Sequence, residues 1–321
     1  MRYRNLPGTD RSASVIVLGC AWFGTDIPEA SAFELLDTFR ELGGNFLDTA
    51  HMYASWVRGG KGQSESTIGK WLRGVERERV LVGTKGADQG MGEPAIRAQL
   101  DESLHRLGTD YVDFYWLHVD DPQVPAGDIL QWLNRIAEEG HMRAFGCSNW
   151  TLARIREADQ YARAHGLRGF AASQIGWSLA RVNPQLLTGG GQVYMDDETL
   201  AFHRQSGMPV VAYSSQAGGF FAGKYDPEGP PPGMTPNPAI VRYYGTPENY
   251  ARLACAKRLA AAKGCTPNQV ALAYLLNQSF PSFAIVGAGK KEYVADSCSA
   301  SDVALTAEEV QRLESGRPPR A

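Results

Sequence analysis

The sequence predicts an α/β protein folded as a single domain, a (β/α)8 barrel over residues 1–321. Short, nearly continuous apolar runs alternate with helical stretches eight times along the chain, as expected of a parallel sheet covered on both faces. Eight such units close naturally into a barrel. The competing fold, an open doubly wound sheet, usually carries a GxGxxG motif after its first strand, and residues 18–24 (LGCAWFG) lack it.

The eight units follow one another with little sequence between them. The predicted strands are 14–19, 45–49, 80–85, 112–118, 144–148, 171–175, 209–214 and 282–287. The predicted helices are 28–42, 64–74, 94–108, 126–140, 151–166 and 196–206, then helical stretches between 250 and 277 and the terminal segments 291–298 and 306–315. Gly43 and Gly44 end the first helix, and Gly108 ends the third. The loop 225–238 is too rich in proline and glycine for regular structure and is either a lid or disordered.

The composition is typical of a soluble globular protein with a full core, since 43% of residues are hydrophobic and 21% are charged. A net charge of −3 and a pI of about 6.1 imply no strongly basic surface, so nucleic-acid binding is not expected. Residues 1–14 have no apolar core of a signal sequence, and no window has the apolar length of a membrane span. The five cysteines are scattered without a CxxC pair, which favours a reducing, cytoplasmic location.

Polar side chains at successive strand ends predict the chemistry. Asp48, Lys85 and His118 end the second, third and fourth strands, and Tyr53 follows Asp48 on its loop. A buried carboxylate is costly unless a cation meets it, and Lys85 on the adjacent strand is placed to do so. The pair should keep Lys85 protonated, and its charge should lower the pKa of Tyr53 from about 10, which would make Tyr53 a usable general acid. His118 could hydrogen-bond the same substrate oxygen.

Several motifs in order resemble those of the aldo-keto reductase superfamily. Residues 45–53 (NFLDTAHMY) are similar to the family's Asn-Phe-(Ile/Leu)-Asp-Thr-Ala…Tyr signature. The further matching segments are 83–85 (GTK), 113–118 (DFYWLH), 146–150 (GCSNW), 173–174 (SQ) and 213–225 (YSSQAGGFFAGKY). The likeness runs from about residue 3 to residue 313, so it covers nearly the whole chain and also implies the TIM-barrel fold.

The resemblance implies a reduced nicotinamide cofactor, a small-molecule carbonyl substrate and no metal. It makes Asp48, Tyr53, Lys85 and His118 the catalytic tetrad. It assigns Ser148, Asn149 and Gln174 to the cofactor's carboxamide and Tyr213 to its nicotinamide ring. The contacts it implies with the pyrophosphate and adenosine ends are Ser214, Gln216, Gly218, Gly287, Gly289, Lys290, Tyr293 and Ser297. Barrel phosphate sites also favour the loops after strands seven and eight.

The adenosine loop departs from the family pattern. Gly289 stands where the family often has an arginine, so a bidentate grip on a 2′-phosphate is lost there. Lys290 follows at once and can attract the phosphate as a point charge. We therefore expect NADP(H) to be preferred over NAD(H), by a smaller margin than is usual for the family.

The expected function is NAD(P)H-dependent reduction of an aldehyde or ketone, possibly sugar-like, by hydride transfer with Tyr53 as general acid. Trp22, Trp56 and Trp177 flank the proposed mouth and are the expected substrate pocket. Two alternatives stay open. One is a cofactor-binding regulatory subunit of the same fold, and the other is a Schiff-base lyase, which would need a neutral Lys85. The loops 54–63, 181–195 and 225–245 shape the pocket, and neither they nor the rest of the chain identify the substrate or the oligomeric state.

Overall fold

The computed structural model describes residues 1–186, 191–230 and 232–316, and within them eight parallel strands close into a barrel. A short antiparallel hairpin, β1 (Tyr3–Asn5) and β2 (Ser12–Ser14), precedes it. The barrel strands are β3 (Ile16–Gly19), β4 (Phe46–Asp48), β5 (Leu81–Gly86), β6 (Val112–Leu117), β7 (Met142–Ser148), β8 (Ser173–Gly176), β9 (Val210–Tyr213) and β10 (Ser282–Val286). They pair in chain order and β10 returns to β3, so the predicted (β/α)8 barrel is confirmed.

Helices cover the outside of the barrel. They are α1 (Glu29–Glu41), α2 (Gln63–Leu72), α3 (Glu93–Leu107), α4 (Ala126–Glu138), α5 (Leu152–His165), α6 (Asp197–Ser206), α7 (Pro238–Tyr244), α8 (Pro247–Lys263), α9 (Pro267–Leu276), α10 (Lys291–Ser299) and α11 (Ala307–Ser315). Thr266 starts α9 with a capping box, and Gly264 ends α8 in the left-handed conformation. These two caps divide the predicted helical region 250–277 into two helices.

The barrel interior is filled with side chains and is closed at one end. Its core cluster takes residues from the strands around the barrel, including Val17, Phe46, Phe114 and Trp116, together with Leu6 from the hairpin segment. The rings of Phe114 and Trp116 stack with their centroids 4.0 Å apart. Because the hairpin covers the amino-terminal end of the strands, the carboxyl-terminal end is left open for a site.

The hairpin and α7 are not predicted by the sequence, and several strand ends shift by one to three residues. Three parts of the chain lie outside the described residues. Residues 187–190 belong to the predicted pocket loop 181–195, residue 231 belongs to the loop 225–238, and residues 317–321 are the last of the predicted domain. None of the described helices is both long and apolar enough to cross a membrane.

Candidate active site

Strand register brings the four predicted catalytic residues together. Asp48, the last residue of β4, pairs with Gly83 of β5, so Asp48 and Lys85 lie two residues apart on neighbouring strands with side chains on the same face. His118 directly follows β6, and Tyr53 lies in the turn after β4. All four side chains reach the open end of the barrel.

The Lys85 ammonium group is the centre of this cluster. Its Nζ donates to Oδ2 of Asp48 at 2.6 Å, to the carbonyl oxygen of Thr49 at 2.7 Å and to the hydroxyl of Tyr53 at 2.9 Å. The Lys85 side chain is only 1% exposed. Burial lowers the pKa of Lys85, but the Asp48 carboxylate and Tyr53 outweigh it, so the pKa lies above its ordinary value. A charged lysine with three hydrogen bonds argues against the Schiff-base alternative.

The expected lowering of the pKa of Tyr53 is wrong. Burial raises the pKa of Tyr53 to about 12, although the Lys85 ammonium acts in the opposite direction, and the charge of Asp48 adds to the rise. The sequence shows which charges are near Tyr53 but not how completely the hydroxyl is removed from water. At neutral pH Tyr53 therefore keeps its proton, which is the state that a proton donor requires.

His118 lies across from Tyr53 and is held by a carboxylate that the sequence analysis missed. The two rings are 5.9 Å apart between centroids. Nδ1 of His118 is 3.2 Å from Oδ2 of Asp88. The backbone carbonyl of His118 accepts a hydrogen bond from Nδ2 of Asn149 at 3.0 Å. Asp88 follows β5 at the same end of the barrel as Lys85, and that position was the one signal available in the sequence.

A cavity of about 940 Å³ opens above these side chains. The predicted residues that line it are Trp22, Tyr53, Trp56, Lys85, His118, Ser148, Asn149, Gln174, Tyr213, Ser214, Gln216, Gly218, Gly287 and Tyr293. Further lining residues that the sequence did not single out include Met52, Gln192, Lys224 and Met234, and Asp296 of the adenosine loop lines it as well.

Five predicted site residues do not line this cavity. Asp48 lies behind it, where it accepts hydrogen bonds from Lys85 and Gln174. Trp177 is buried, and its ring packs against Tyr274 and Phe280 with centroids 6.0 and 5.8 Å away, so its placement in the substrate pocket is wrong. Gly289 and Lys290 are exposed beyond the cavity. Ser297 is buried behind it and accepts a hydrogen bond from Nε2 of Gln216 at 3.1 Å.

The side chains predicted to meet the nicotinamide form one hydrogen-bonded group. Oδ1 of Asn149 accepts the hydroxyl of Tyr213 at 2.8 Å and the backbone N–H of Val193 at 3.1 Å. Nε2 of Gln174 donates to Oδ1 of Asp48 at 3.0 Å. Asn149 thus fixes the Tyr213 ring at the cavity wall, and Gln174 ties this group to the Lys85–Asp48 pair.

Backbone strain is concentrated at the cavity. Among the described residues, the non-glycine positions with positive φ are Ala54, Ala87, Asn149, Ser214 and Ala217. Each lies in a loop that follows a barrel strand, and each is either a site residue described above or within one position of such a residue in the chain. Such conformations cost about 1–3 kcal/mol each and cluster at functional sites, so they independently mark this end of the barrel.

An aromatic pair forms the rim of the cavity. Trp22 and Trp56 meet edge to face with centroids 5.2 Å apart, and Trp56 is 6.3 Å from the ring of Tyr53. The two tryptophans are 45% and 53% exposed, which is unusual for such large apolar side chains. An exposed aromatic pair beside a polar site is a surface to which a flat ligand can bind.

The other end of the cavity meets the amino terminus of α10. Gly287 and Tyr293 line the cavity there, and the helix start has no side chain accepting its first N–H groups. Lys291 pairs with Glu34 at 3.0 Å. Lys290 forms no ion pair within the described part of the chain and lies with Nζ 5.9 Å from the centre of the Tyr293 ring. Free N–H groups and an unpaired lysine suit an anion.

The chain matches the family model "Aldo/keto reductase family" over residues 15–317. An aryl-alcohol dehydrogenase of Pestalotiopsis microspora is 29% identical over 93% of this chain and 76% of its own length. A norsolorinic acid reductase B of Dothistroma septosporum is 28% identical over 99% and 82%.

Among solved structures, the thermostable aldo-keto reductase Tm1743, crystallised with the inhibitor epalrestat, superposes with a TM-score of 0.76 and 23% identity. That match covers 99% of this chain and 100% of Tm1743. An aldo/keto reductase of Klebsiella pneumoniae in complex with NADP and acetate gives a TM-score of 0.72 and 24% identity over 98% and 95% of the two chains. Both likenesses concern the fold.

Replacing Lys85 by methionine should strongly destabilise the protein. Lys85→Met leaves the Asp48 carboxylate buried without its cation, and breaking a buried pair costs about 3–5 kcal/mol. The matched control is Lys70→Met, which removes a lysine paired with Glu29 on the surface and should cost about 0–1 kcal/mol. Urea unfolding of both variants measures the difference. Equal losses of stability would contradict the burial argument.

Proposed function

The chain belongs to the aldo/keto reductase family, and on that premise we propose that it reduces aromatic aldehydes or ketones with NADPH, using Tyr53 as the proton donor. The family and the reductase and dehydrogenase relatives make it an NAD(P)H-dependent oxidoreductase acting on carbonyl compounds. The substrate class, the role of Tyr53 and the choice between NADPH and NADH are proposed.

The observation that carries the proposal is the pair of contacts made by Nζ of Lys85, 2.6 Å from Asp48 and 2.9 Å from the hydroxyl of Tyr53. The bound nicotinamide would supply a hydride to the carbonyl carbon. As the carbonyl oxygen takes up the electron pair, Tyr53 gives it the hydroxyl proton. The phenolate that remains lies against the Lys85 ammonium, which stabilises it. Asp48 holds that ammonium in place.

The residues around the tetrad fit a nicotinamide cofactor. Tyr213 offers an aromatic ring at the cavity wall, and Ser148, Asn149 and Gln174 offer hydroxyl and amide groups beside it. The cavity then continues past Gly218 to Gly287 and the start of α10. A long cavity that is polar at one end and reaches a helix amino terminus at the other suits an extended dinucleotide. The Klebsiella pneumoniae reductases of the same fold were crystallised with NADP and with NADPH.

The rim supports aromatic substrates. Trp22, Trp56 and Met234 are exposed apolar side chains on the cavity wall, and the ring of Trp56 lies 6.3 Å from that of Tyr53. Flat aromatic rings stack on such surfaces and bury apolar area there. The two named relatives, an aryl-alcohol dehydrogenase and a norsolorinic acid reductase, agree with this preference.

Changing Tyr53 to phenylalanine should reduce kcat for carbonyl reduction by roughly 10²–10⁴-fold, because only the acidic hydroxyl is removed. NADPH binding, followed by tryptophan fluorescence, should stay unchanged. The control is Tyr243→Phe, which removes a hydroxyl from an exposed tyrosine away from the tetrad. The assay is NADPH oxidation over a panel of aryl, aliphatic and sugar aldehydes. A Tyr53→Phe enzyme that keeps more than half of the wild-type kcat would disprove the acid assignment. No turnover of any carbonyl by the wild type would favour the regulatory-subunit alternative.

Trp56→Ala should raise the KM for aromatic aldehydes by roughly 2–10-fold, since an aromatic contact contributes about 0.5–1.5 kcal/mol beyond area burial. The KM for a short aliphatic aldehyde, measured on the same variant, is the control and should change less. Cofactor affinity should be unaffected. A variant that loses NADPH affinity and keeps its substrate KM would show that the rim contacts cofactor and not substrate.

Lys290→Ala should weaken NADP⁺ binding by roughly tenfold, as expected for one charge-assisted contact, and leave NAD⁺ binding unchanged. Lys291→Ala is the matched control, because Lys291 is already paired with Glu34. Fluorescence titration of both variants with both nucleotides measures the effect. The proposed preference is wrong if the wild type binds NAD⁺ more tightly, and the assigned contact is wrong if Lys290→Ala binds NADP⁺ as the wild type does.

A further inference from the structure

Asp88 and His118 form a carboxylate–imidazole pair beside the tetrad. Nδ1 of His118 lies 3.2 Å from both carboxylate oxygens of Asp88 and hydrogen-bonds to Oδ2. The Asp88 side chain is 13% exposed, and its Oδ1 has no other hydrogen-bond partner among the described residues. Asp88 does not line the cavity, so it acts on the site through His118.

The remaining ring nitrogen of His118 is free to meet a ligand. His118 lines the cavity with Tyr53, and its side chain is 23% exposed. Nε2 makes no hydrogen bond to any residue in the described part of the chain. The backbone on both sides is fixed, since the His118 amide donates to Gly86 at 2.8 Å and its carbonyl accepts from Asn149. The ring therefore has one nitrogen toward Asp88 and the other available to a substrate oxygen.

The carboxylate determines where the imidazole proton lies. An ionised aspartate only accepts hydrogen bonds, so Nδ1 must carry a proton to bond to it. When the ring holds a single proton, Nε2 is then left with its lone pair and cannot donate to a carbonyl oxygen. When the ring holds two protons, Nε2–H can donate. Hence His118 paired with Asp88 has an Nε2–H donor when its ring is doubly protonated and none when its ring is neutral.

We propose that Asp88 is a positioning residue that fixes the single proton of neutral His118 on Nδ1, so that His118 can donate to the substrate carbonyl oxygen only when its ring is doubly protonated. The kinetic part of the proposal rests on the proposed carbonyl reduction, whereas the position of the proton does not. Reduction consequently has this donor to the developing oxyanion only while the ring carries both protons. Loss of one such donor costs roughly 10²–10³-fold in kcat.

Other charges surround the ring. The charged groups that share the cavity or lie behind it are Lys85, Asp48, Lys224 and Asp296, and the titratable phenols are Tyr53, Tyr213, Tyr225 and Tyr293. The Asp296 carboxylate is held at the far end by hydrogen bonds from Thr266, Asn268 and Gln269. Lys85 and Asp48 neutralise one another, and on the histidine's own loop Asp120 is paired with Arg154 at 2.9 Å. Asp88 is therefore the carboxylate that remains available to the imidazole.

The direct test is the tautomer of neutral His118 in the cofactor-free protein. Two-bond ¹H–¹⁵N correlation spectra at alkaline pH distinguish the protonated ring nitrogen from the unprotonated one, and comparison with His118→Gln assigns the signals. The proposal expects protonated Nδ1 in the wild type. It expects the same in the control variant Asp121→Ala, which removes a carboxylate that accepts the backbone N–H of Gln123. It expects a shift of the proton toward Nε2 in Asp88→Ala. Protonated Nε2 in the wild type overturns the proposal.

The kinetic test compares carbonyl reduction at mildly acidic and alkaline pH. The wild type and Asp121→Ala should lose roughly 10²-fold in kcat on the alkaline side, and Asp88→Ala should lose much less, because its neutral ring can place the proton on Nε2. An identical alkaline loss in wild type and Asp88→Ala overturns the mechanism. If Asp88→Ala does not fold, Asp88→Leu replaces it in both measurements. A wild type that reduces no carbonyl compound disproves the proposed function, and the spectra of the free protein then decide the proton's position alone.

Discussion

The candidate site depends on one buried ion pair, between Lys85 on β5 and Asp48 on β4. Taking both charges out of water costs several kcal/mol, and well-packed apolar residues often serve a fold equally well at such a place. The cost is offset because every donor of Lys85 and both oxygens of Asp48 are hydrogen-bonded. A pair that is expensive and fully satisfied is better explained by the fixed positive charge it presents to Tyr53 than by stability.

The positive charge of Lys85 and the burial of Tyr53 shift the pKa of Tyr53 in opposite directions. Burial raises the pKa of the phenol to about 12, and Lys85 limits the rise. The free site consequently holds a protonated tyrosine beside an ammonium group. The attraction between the ammonium and the tyrosine is strongest after the hydroxyl proton has left. In the proposed reduction this is differential stabilisation of the charge that develops on Tyr53, and it does not require a phenolate beforehand. His118 faces the same cavity from the loop after β6, and Asp88 contacts His118 from the loop after β5.

The sequence predicts the barrel and the tetrad because both follow from the order of strand ends. Consecutive parallel strands are neighbours, so polar residues that end them must converge, and Asp48, Lys85 and His118 do. The placement of Trp177 in the substrate pocket is wrong, and the strand pattern explains why. Gln174 points into the barrel toward Asp48, and alternation along β8 then directs Trp177 outward, against Tyr274 of α9.

Other features depend on three-dimensional detail that strand order does not contain. The depth of burial that raises the pKa of Tyr53 depends on side chains from several loops. The contact of Asp88 with His118 depends on the loop after β5, where Ala87 has a φ of 69°. A positive φ at alanine is set by tertiary contacts and not by local preference, so the sequence gives no reason to expect it.

The most direct measurement of the central claim, that Lys85 and Tyr53 act as one unit, is the kcat of the double variant Lys85→Met/Tyr53→Phe beside that of each single variant. Residues that act as a unit show strongly non-additive losses. The ion-pair account predicts that the folded double variant is about as slow as the slower single variant, because without the phenol hydroxyl the ammonium has no phenolate to stabilise. Losses that multiply would show that Lys85 and Tyr53 contribute independently, and would contradict the account.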